Sequence, residues 1–380
     1  MSFPKVTILY STNNLLKDIA AIDGIGGILA TVATIGLIGV PKQVFSLNDA
    51  EAQGFTLIDE PFIHNQLQEF YTEVGGNQEL WIMGTAETMT MAQALDVTNL
   101  NAAGKLTLAA QDKIRLLGVL RKPAVGYAPG TDFLDADVSA AVTAAKTFAQ
   151  AQLVLNRPLR ILIEGRIAVE TSIVVFQPST ASNGYAGVVL GSSVAGGAQC
   201  VGLCLGRAVK YGAHIKVGKV ANGPLSINAG FIGTKALSTV PGLEALHDKG
   251  FISLMKQPQK AGIYFGVDRM ASTDDMRLLA YGRVLDKAAI ITFATYVEEL
   301  ESEVDTAEDG TMLPLDAKHL ENVLKQQIST NMGDQISNSD VIIPLGQVII
   351  PGNLIHIKLK IQPKGYSTFI TVDLGLVASI

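Results

Sequence analysis

Sixteen consecutive residues, Ile25 to Val40 (IGGILATVATIGLIGV), carry no charge and include four glycines. Such a run can be a membrane span, a phosphate-cradling loop or a strand covered on both faces. It falls short of the roughly 20 apolar residues that a membrane helix needs. Its glycines, with Thr31, Val32, Thr34 and Ile35, disfavour a helix in water. Gly24, Gly26 and Gly27 do not follow G-x-G-x-x-G, no clear strand feeds directly into them, and no G-x-x-x-x-G-K-[ST] occurs in the chain. The remaining solution is a turn at Gly24–Gly27 followed by a short strand within residues 29–39, buried on both faces.

The chain around this run has 380 residues, enough for two or three domains with a sizeable core. Hydrophobic residues make up 48% and charged residues 17%, which is the composition of an ordered protein. A net charge of -6 argues against a nucleic-acid partner, because neutralising phosphates takes a positive surface. Two cysteines cannot build a disulfide framework, which fits synthesis in a reducing cytoplasm. The first twenty residues do not read as a secretory signal, since the apolar run starts too late.

Residues 4–12 (PKVTILYST) alternate, with Val6, Ile8 and Tyr10 on one side, as in an exposed or edge strand. A short helix is expected after Pro41, capped by Ser46 or Asn48 and stopped by Gly54. Helices follow over 61–74, 84–96 and 137–155, interleaved with strands at ELWIMGT, IRLLGVLR and LRILIEGR. Strand–helix alternation points to a mainly parallel sheet with helices on its faces. SIVVFQP and YAGVVLGSS read as further strands, AGGAQCVGLCLGRAVKYG as a close-packing small-residue helix, and IKVGKVANGPLSI as hairpin-like. GLEALHDKG reads as a short helix and AGIYFGVDR as a strand.

The texture then changes. A long helical pattern spans 274–302, opening at STDDM, and a second helix covers LDAKHLENVLKQQIST. In the second, Leu320, Val323, Leu324 and Ile328 form the core stripe, and Lys318, Asn322, Lys325 and Ser329 lie opposite. LIHIKLKI alternates as a half-buried strand, and STFITVDLGLV is another strand near the end of the chain.

A search for chemistry finds no catalytic constellation, cofactor site or metal site. Histidines 64, 214, 247, 319 and 356 are scattered, and none has a metal-ligand neighbour at H-E-x-x-H spacing. Cys200 and Cys204 share a helix face but supply only two of the four ligands a structural zinc wants. GSSVAGG lacks the glycine that a nucleophile elbow requires two residues after the serine. Asp274 and Asp275 suit the start of a helix, and the acidic stretch VEELESEVDTAEDG reads as a solvated helix end and loop. What remains is an α/β body with a strand at each end, and an exposed strand must be covered or used.

Several segments resemble the contractile tail sheath proteins of phages, R-type pyocins and contractile injection systems. ATIGLIGVPKQVFSLNDAEAQGF is similar to the start of their body, and GLEALHDKGFISLM to the helix and glycine before their most recognisable stretch. YFGVDRMASTDDMRLLAYGRVLDKAAIITFATYVEEL resembles that stretch, with Arg269, Ser272, Asp275 and Arg283 at the matching positions. Met270 stands where the family usually has threonine, and Met276 near where an aromatic is common.

The resemblance implies an N-terminal arm (1–22), an outward α/β body with a mainly parallel sheet (23–262), an inner α+β sheath domain (263–363) and a C-terminal arm (364–380). It implies a non-enzymatic subunit, without cofactor, that stacks in hexameric rings around an inner tail tube between baseplate and terminator proteins. The arms, carrying Val6, Ile8 and Tyr10 at one end and Ile370, Val372, Leu374 and Leu376 at the other, would donate strands to neighbouring copies. Their tethers would lie near residues 12–24 and 362–368. Lys318 and Lys325 are the candidate tube contacts. Assembly would take place in the bacterial cytoplasm, within a phage or phage-tail-like particle, with no nucleic-acid partner and no membrane insertion. Two other readings stay open: a nucleotide- or dinucleotide-dependent α/β enzyme with a pocket at its strand ends, and a membrane or pore component built on residues 25–40.

Overall fold

A computed structural model describes residues 24–99, 102–171, 174, 176–350, 354–368 and 371. These residues fall into two compact units, the first running to Leu300 and the second starting at Glu301.

The strands of the first unit are β1 (Gly26–Thr31), β2 (Lys42–Val44), β3 (Leu80–Thr85), β4 (Leu116–Val119), β5 (Arg160–Glu164), β6 (Ala186–Leu190), β7 (Phe231–Ile232), β8 (Lys235–Ala236), β9 (Phe251–Met255) and β10 (Tyr264–Phe265). β7 and β8 form a small ribbon of their own, and the rest form one open sheet in the order β10-β9-β6-β5-β4-β1-β3-β2. The inner strands run parallel, and β2 and β10 close the two edges antiparallel. The helices are α1 (Leu47–Ala52), α2 (Pro61–Val74), α3 (Met91–Ala94), α4 (Ala103–Ala109), α5 (Ala136–Val154), α6 (Val201–Lys210), α7 (Leu243–Asp248) and α8 (Leu279–Tyr296).

β1 is buried along its whole length, as its lack of charge demands. It is shorter and earlier than the sequence pattern implies, and Gly26 and Gly27 lie inside it, not in a turn. A Cβ on Gly26 would come within 3.2 Å of Leu80 and Leu205, and one on Gly27 within 2.9 Å of Ile114. These glycines therefore serve close packing on the two faces. Beyond Thr31 the chain leaves the sheet, and Ile35 is 85% exposed.

Local signals hold where the chemistry is local. The Ser46 hydroxyl accepts the Asp49 N–H at 3.1 Å, Asp49 accepts the Phe45 N–H in return, and Gly54 follows at φ 102°. Pro61 opens α2, and Gly75 ends it in the left-handed region. The small-residue helix α6 packs backbone to backbone on α2. A Cβ on Gly202 would lie 2.1 Å from the Gln66 carbonyl oxygen, and one on Gly206 2.8 Å from that of Phe70.

Other segments differ from expectation. The helix read over 84–96 is only α3, because β3 extends through Thr85 and Thr90 forms a reciprocal cap with Gln93. The hairpin expected over 215–227 is irregular chain around a single turn, with the Arg207 guanidinium holding the carbonyls of Asn222, Gly223 and Pro224. Of SIVVFQP, the described residues 174 and 176–178 are outside any strand. β9, by contrast, was not read from sequence.

α8 is tied to the sheet by one buried side chain. Arg160, the first residue of β5, is 1% exposed. Its Nη2 and Nε donate to the Asp286 carboxylate at 2.6 and 2.7 Å, its Nη1 to the Gly184 carbonyl at 2.8 Å, and its Nη2 also to the Gly282 carbonyl at 3.1 Å. The guanidinium lies 4.8 Å from the centre of the Tyr185 ring. Gly282 leaves room for it, since a Cβ there would sit 2.8 Å from the guanidinium carbon. The division after Leu300 thus groups α8 with the sheet, inside the span 263–363 expected to act as one inner domain.

The second unit contains α9 (Pro314–Met332), β11 (Ile336–Ile342) and β12 (Lys358–Pro363). Leu320, Leu324 and Ile328 of the predicted stripe are buried along α9, and Val323 is half-buried. β11 and β12 form an antiparallel two-stranded ribbon with an irregularity between Ile336 and Asn338.

Removing one partner of a buried, hydrogen-bonded ion pair leaves the other uncompensated and costs about 3–5 kcal/mol. Asp286→Ala is therefore expected to lower the unfolding free energy of the protein by about that amount in a urea titration. A loss below about 1 kcal/mol, the size expected of an exposed pair, would show that Arg160 does not hold α8.

Candidate functional site

In an open parallel sheet, ligands bind beyond the carboxyl ends of the strands where the strand order reverses. Here that point lies between β1 and β4, and the chain's own side chains fill it. The Glu60 carboxylate, 2% exposed, accepts the N–H groups of Ala33 at 2.9 and 3.0 Å and Thr34 at 2.6 Å, the donors a phosphate would use after β1. Thr31 Oγ1 accepts the Lys122 N–H at 3.0 Å, bridging the ends of β1 and β4. Glu164 accepts the N–H groups of Arg121 at 3.0 Å and Gln199 at 3.1 Å. Asp137 accepts those of Met91 and Ala92 at the start of α3 and pairs with Arg121 at 3.2 Å. Among the described residues, these anion-binding donors are taken by internal carboxylates, which fasten the loops to the sheet.

Burial pushes the Glu164 carboxyl up to about 7, against the opposing pull of its two backbone donors. The folded chain then holds this proton more tightly than the unfolded chain, whose carboxyl titrates near 4.5. The stability it contributes is fully present below pH 4.5 and is lost as the pH rises through about 7. Glu164→Gln is expected to flatten this part of the stability–pH curve, read as urea midpoints at a series of values across the window. An unchanged slope would assign the pH dependence to other groups.

The glycine-rich loop after β6 is also structural. Ser193 donates to Glu69 at 2.5 Å, and Cys200 lies 3.5 Å from the same oxygen. Burial pushes the thiols of Cys200 and Cys204 up, so both stay protonated and inert. Among the described residues, no group of three or more His, Cys, Asp or Glu side chains is placed to hold a metal ion, and no helix is long and apolar enough to cross a membrane.

The motif residues cluster before and along α8. The helix begins at Leu279, later than STDDM suggests, because Asp274 spends its side chain on the Met276 N–H of a preceding turn. The cap comes instead from Asp268, whose Oδ2 accepts the Ala280 N–H at 3.0 Å. Asp268 is 1% exposed and burial pushes its carboxyl up to about 6, against the nearby charges of Lys216 and Arg283. No sequence signal marks it, since a cap eleven residues before a helix has no fixed spacing. Arg269 bridges across this turn to Leu278, Ser272 is buried and accepts the Asp274 N–H at 3.3 Å, and Asp275 is exposed. Arg283 is buried on α8 and donates to the Tyr211 carbonyl at 3.1 Å. Arg269, Ser272 and Arg283 thus belong to one packed junction, and Asp275 lies on its surface.

Lys318 and Lys325 are exposed on α9, with Lys318 paired to Glu321 at 2.5 Å. The arm positions Val6, Ile8, Tyr10, Ile370, Val372, Leu374 and Leu376 lie outside the described residues.

The architecture is that of the contractile sheath proteins. The chain superposes on the contracted helical sheath of the anti-feeding prophage with a TM-score of 0.66 at 15% identity, covering 99% of both chains. Against the contracted sheath complex of the extracellular contractile injection system PVC the TM-score is 0.62 at 12% identity, covering 100% of this chain and 98% of that one. Against a sheath tail protein from Listeria innocua it is 0.51 at 10% identity, covering 91% and 98%. A family model described as DUF2586, N-terminal domain, matches residues 3–269, and the chain belongs to that family. No curated protein matches it in sequence.

Proposed function

We propose that this protein is the structural subunit of a contractile sheath, assembling in stacked hexameric rings around an inner tube and shortening to drive the tube through a target envelope. The observation that carries the proposal is the fold match to the anti-feeding prophage sheath, which spans 99% of both chains. The internally occupied crevice at the switch point supports a non-enzymatic role.

The ribbon in the second unit supports assembly by strand donation. Among the described residues, β11 and β12 pair only with each other. A two-stranded ribbon is marginal alone and offers unpaired backbone groups at its outer edges. Terminal strands from neighbouring copies would complete it, main-chain hydrogen bonds supplying the linkage and alternating side chains the register. A contact of this kind that does not close on itself generates a filament. The work would come from the sheath being trapped behind a barrier in its extended form, then relaxing by rigid-body rotation of subunits once a baseplate releases it.

Deletion of residues 366–380 is expected to leave a soluble, cooperatively folding protein that forms no long polymers in negative-stain micrographs. Normal sheaths from this truncation would refute strand donation. The exposed lysines of α9 face the tube in this scheme. Charge reversal at Lys318 and Lys325 is expected to give sheaths that assemble without a tube, and unchanged tube retention would remove these residues from that role.

A further inference from the structure

The charges of this chain are sorted along its length to a degree that its net charge conceals. From Thr171 to Leu243 there is no acidic residue, while Arg207, Lys210, Lys216, Lys219 and Lys235 fall within that span. From Ala288 to Ala317 there is no basic residue, while Glu298, Glu299, Glu301, Glu303, Asp305, Glu308, Asp309 and Asp316 do.

Of these, Lys216 and Lys219 lie at the β10 edge of the large sheet, while Arg207 pairs with Glu73 at 2.7 Å, Lys210 donates to the Glu73 carbonyl and Lys235 lies on β8. The 216–225 loop runs beside β10, its Leu225 N–H donating to the Ile263 carbonyl at 2.8 Å, and a Cβ on Gly218 would lie 2.0 Å from the Gly266 carbonyl oxygen. Lys219 projects from that loop, and the turn joining β9 to β10 adds Lys256 and Lys260; all three are exposed. Behind them, burial lowers the proton affinity of Lys216, with Asp268 opposing and Arg269 adding to it, and burial followed by the charge of Arg269 lowers that of His247, so Lys216 and Arg269 lie close enough to act on one another. Asp268, the carboxylate among them, is committed to the cap of α8 and to Lys216 at 3.9 Å. The edge therefore presents more positive charge than its own carboxylates balance, with Glu244 and Asp248 as the exposed acids on the neighbouring α7. Conversely, Glu298, Glu301, Glu303 and Glu308 are exposed, and none of them forms an ion pair among the described residues.

We infer that the β10 edge, through Lys219, Lys256 and Lys260, is an interface that receives the acidic 298–309 segment of a second copy of this chain. Charge complementarity selects that occupant: the most acidic stretch of the polypeptide matches a surface of the same polypeptide whose lysines outnumber its exposed acids, and each copy carries both halves. A pairing of two different patches leaves one of each free at the ends, so it propagates instead of closing. Rim charges of this kind set encounter rate, register and salt dependence more than raw affinity. The inference rests on the sheath reading and specifies one of its contacts.

The test uses full-length protein and three preparations: Lys219→Glu with Lys260→Glu, Glu301→Lys with Glu303→Lys, and an equimolar mixture of the two. Polymer is measured by sedimentation and negative-stain microscopy across a salt series, and monomer stability by urea titration. Each double variant alone is expected to sediment at least tenfold less polymer at low salt than wild type, with an unchanged urea midpoint. The mixture is expected to recover polymer, because each variant then supplies the complement of the other. Polymer yields equal to wild type for both variants, or no recovery in the mixture, would overturn the inference. A lowered urea midpoint in both variants would also overturn it, by showing that the charges pair within one chain. If wild-type protein forms no polymer under any condition, the sheath reading itself fails, an outcome separate from these.

Discussion

The buried pairing of Arg160 with Asp286 is the constraint on which the first unit depends. A guanidinium at the start of a central strand can leave water only if its donors are satisfied. Here they are, by a carboxylate and two carbonyls contributed from α8 and from the turn before β6. The arrangement fixes where α8 lies on the sheet to within a hydrogen bond, and it obliges residue 282 to be glycine. Buried ionic groups of this sort add little net stability compared with an apolar core, and their best-attested use is to specify one arrangement over others.

The same logic recurs at the carboxyl ends of the strands. Glu60, Asp137 and Glu164 each take up backbone N–H groups of a loop or helix start. A doubly wound sheet inevitably produces such donors at its switch point, and they must be satisfied by ligand, water or protein. This chain satisfies them from within. The outcome, among the described residues, is a set of loops pinned to the sheet by internal carboxylates.

Much of this was legible in the sequence because it depends on nearest neighbours or on periodicity. The Ser46 cap, the Pro61 start, the stripe of α9 and the alternation of strand and helix are local regularities, and the structure contains them. The elements misread are those where tertiary packing overrides local signal. Gly26 and Gly27 resemble a turn until Leu205 and Ile114 are seen against them. STDDM resembles a helix cap until Asp274 is seen to spend its side chain on a turn and Asp268 to cap α8 instead. β9 is a short apolar strand after a glycine, a pattern too brief to assign.

By itself the sequence determined the class of fold, the absence of a recognisable catalytic motif, and the segregation of charge along the chain, since composition and period are properties of the order of residues alone. Only the tertiary structure decided that the glycines of α6 admit α2 to backbone contact, that a single arginine locks α8, and that the lysines from separate loops meet at one sheet edge. Those outcomes turn on distances between residues far apart in the chain, such as the 126 positions separating Arg160 from Asp286. No local pattern encodes a distance of that kind, because it is set by how the whole sheet closes around its core.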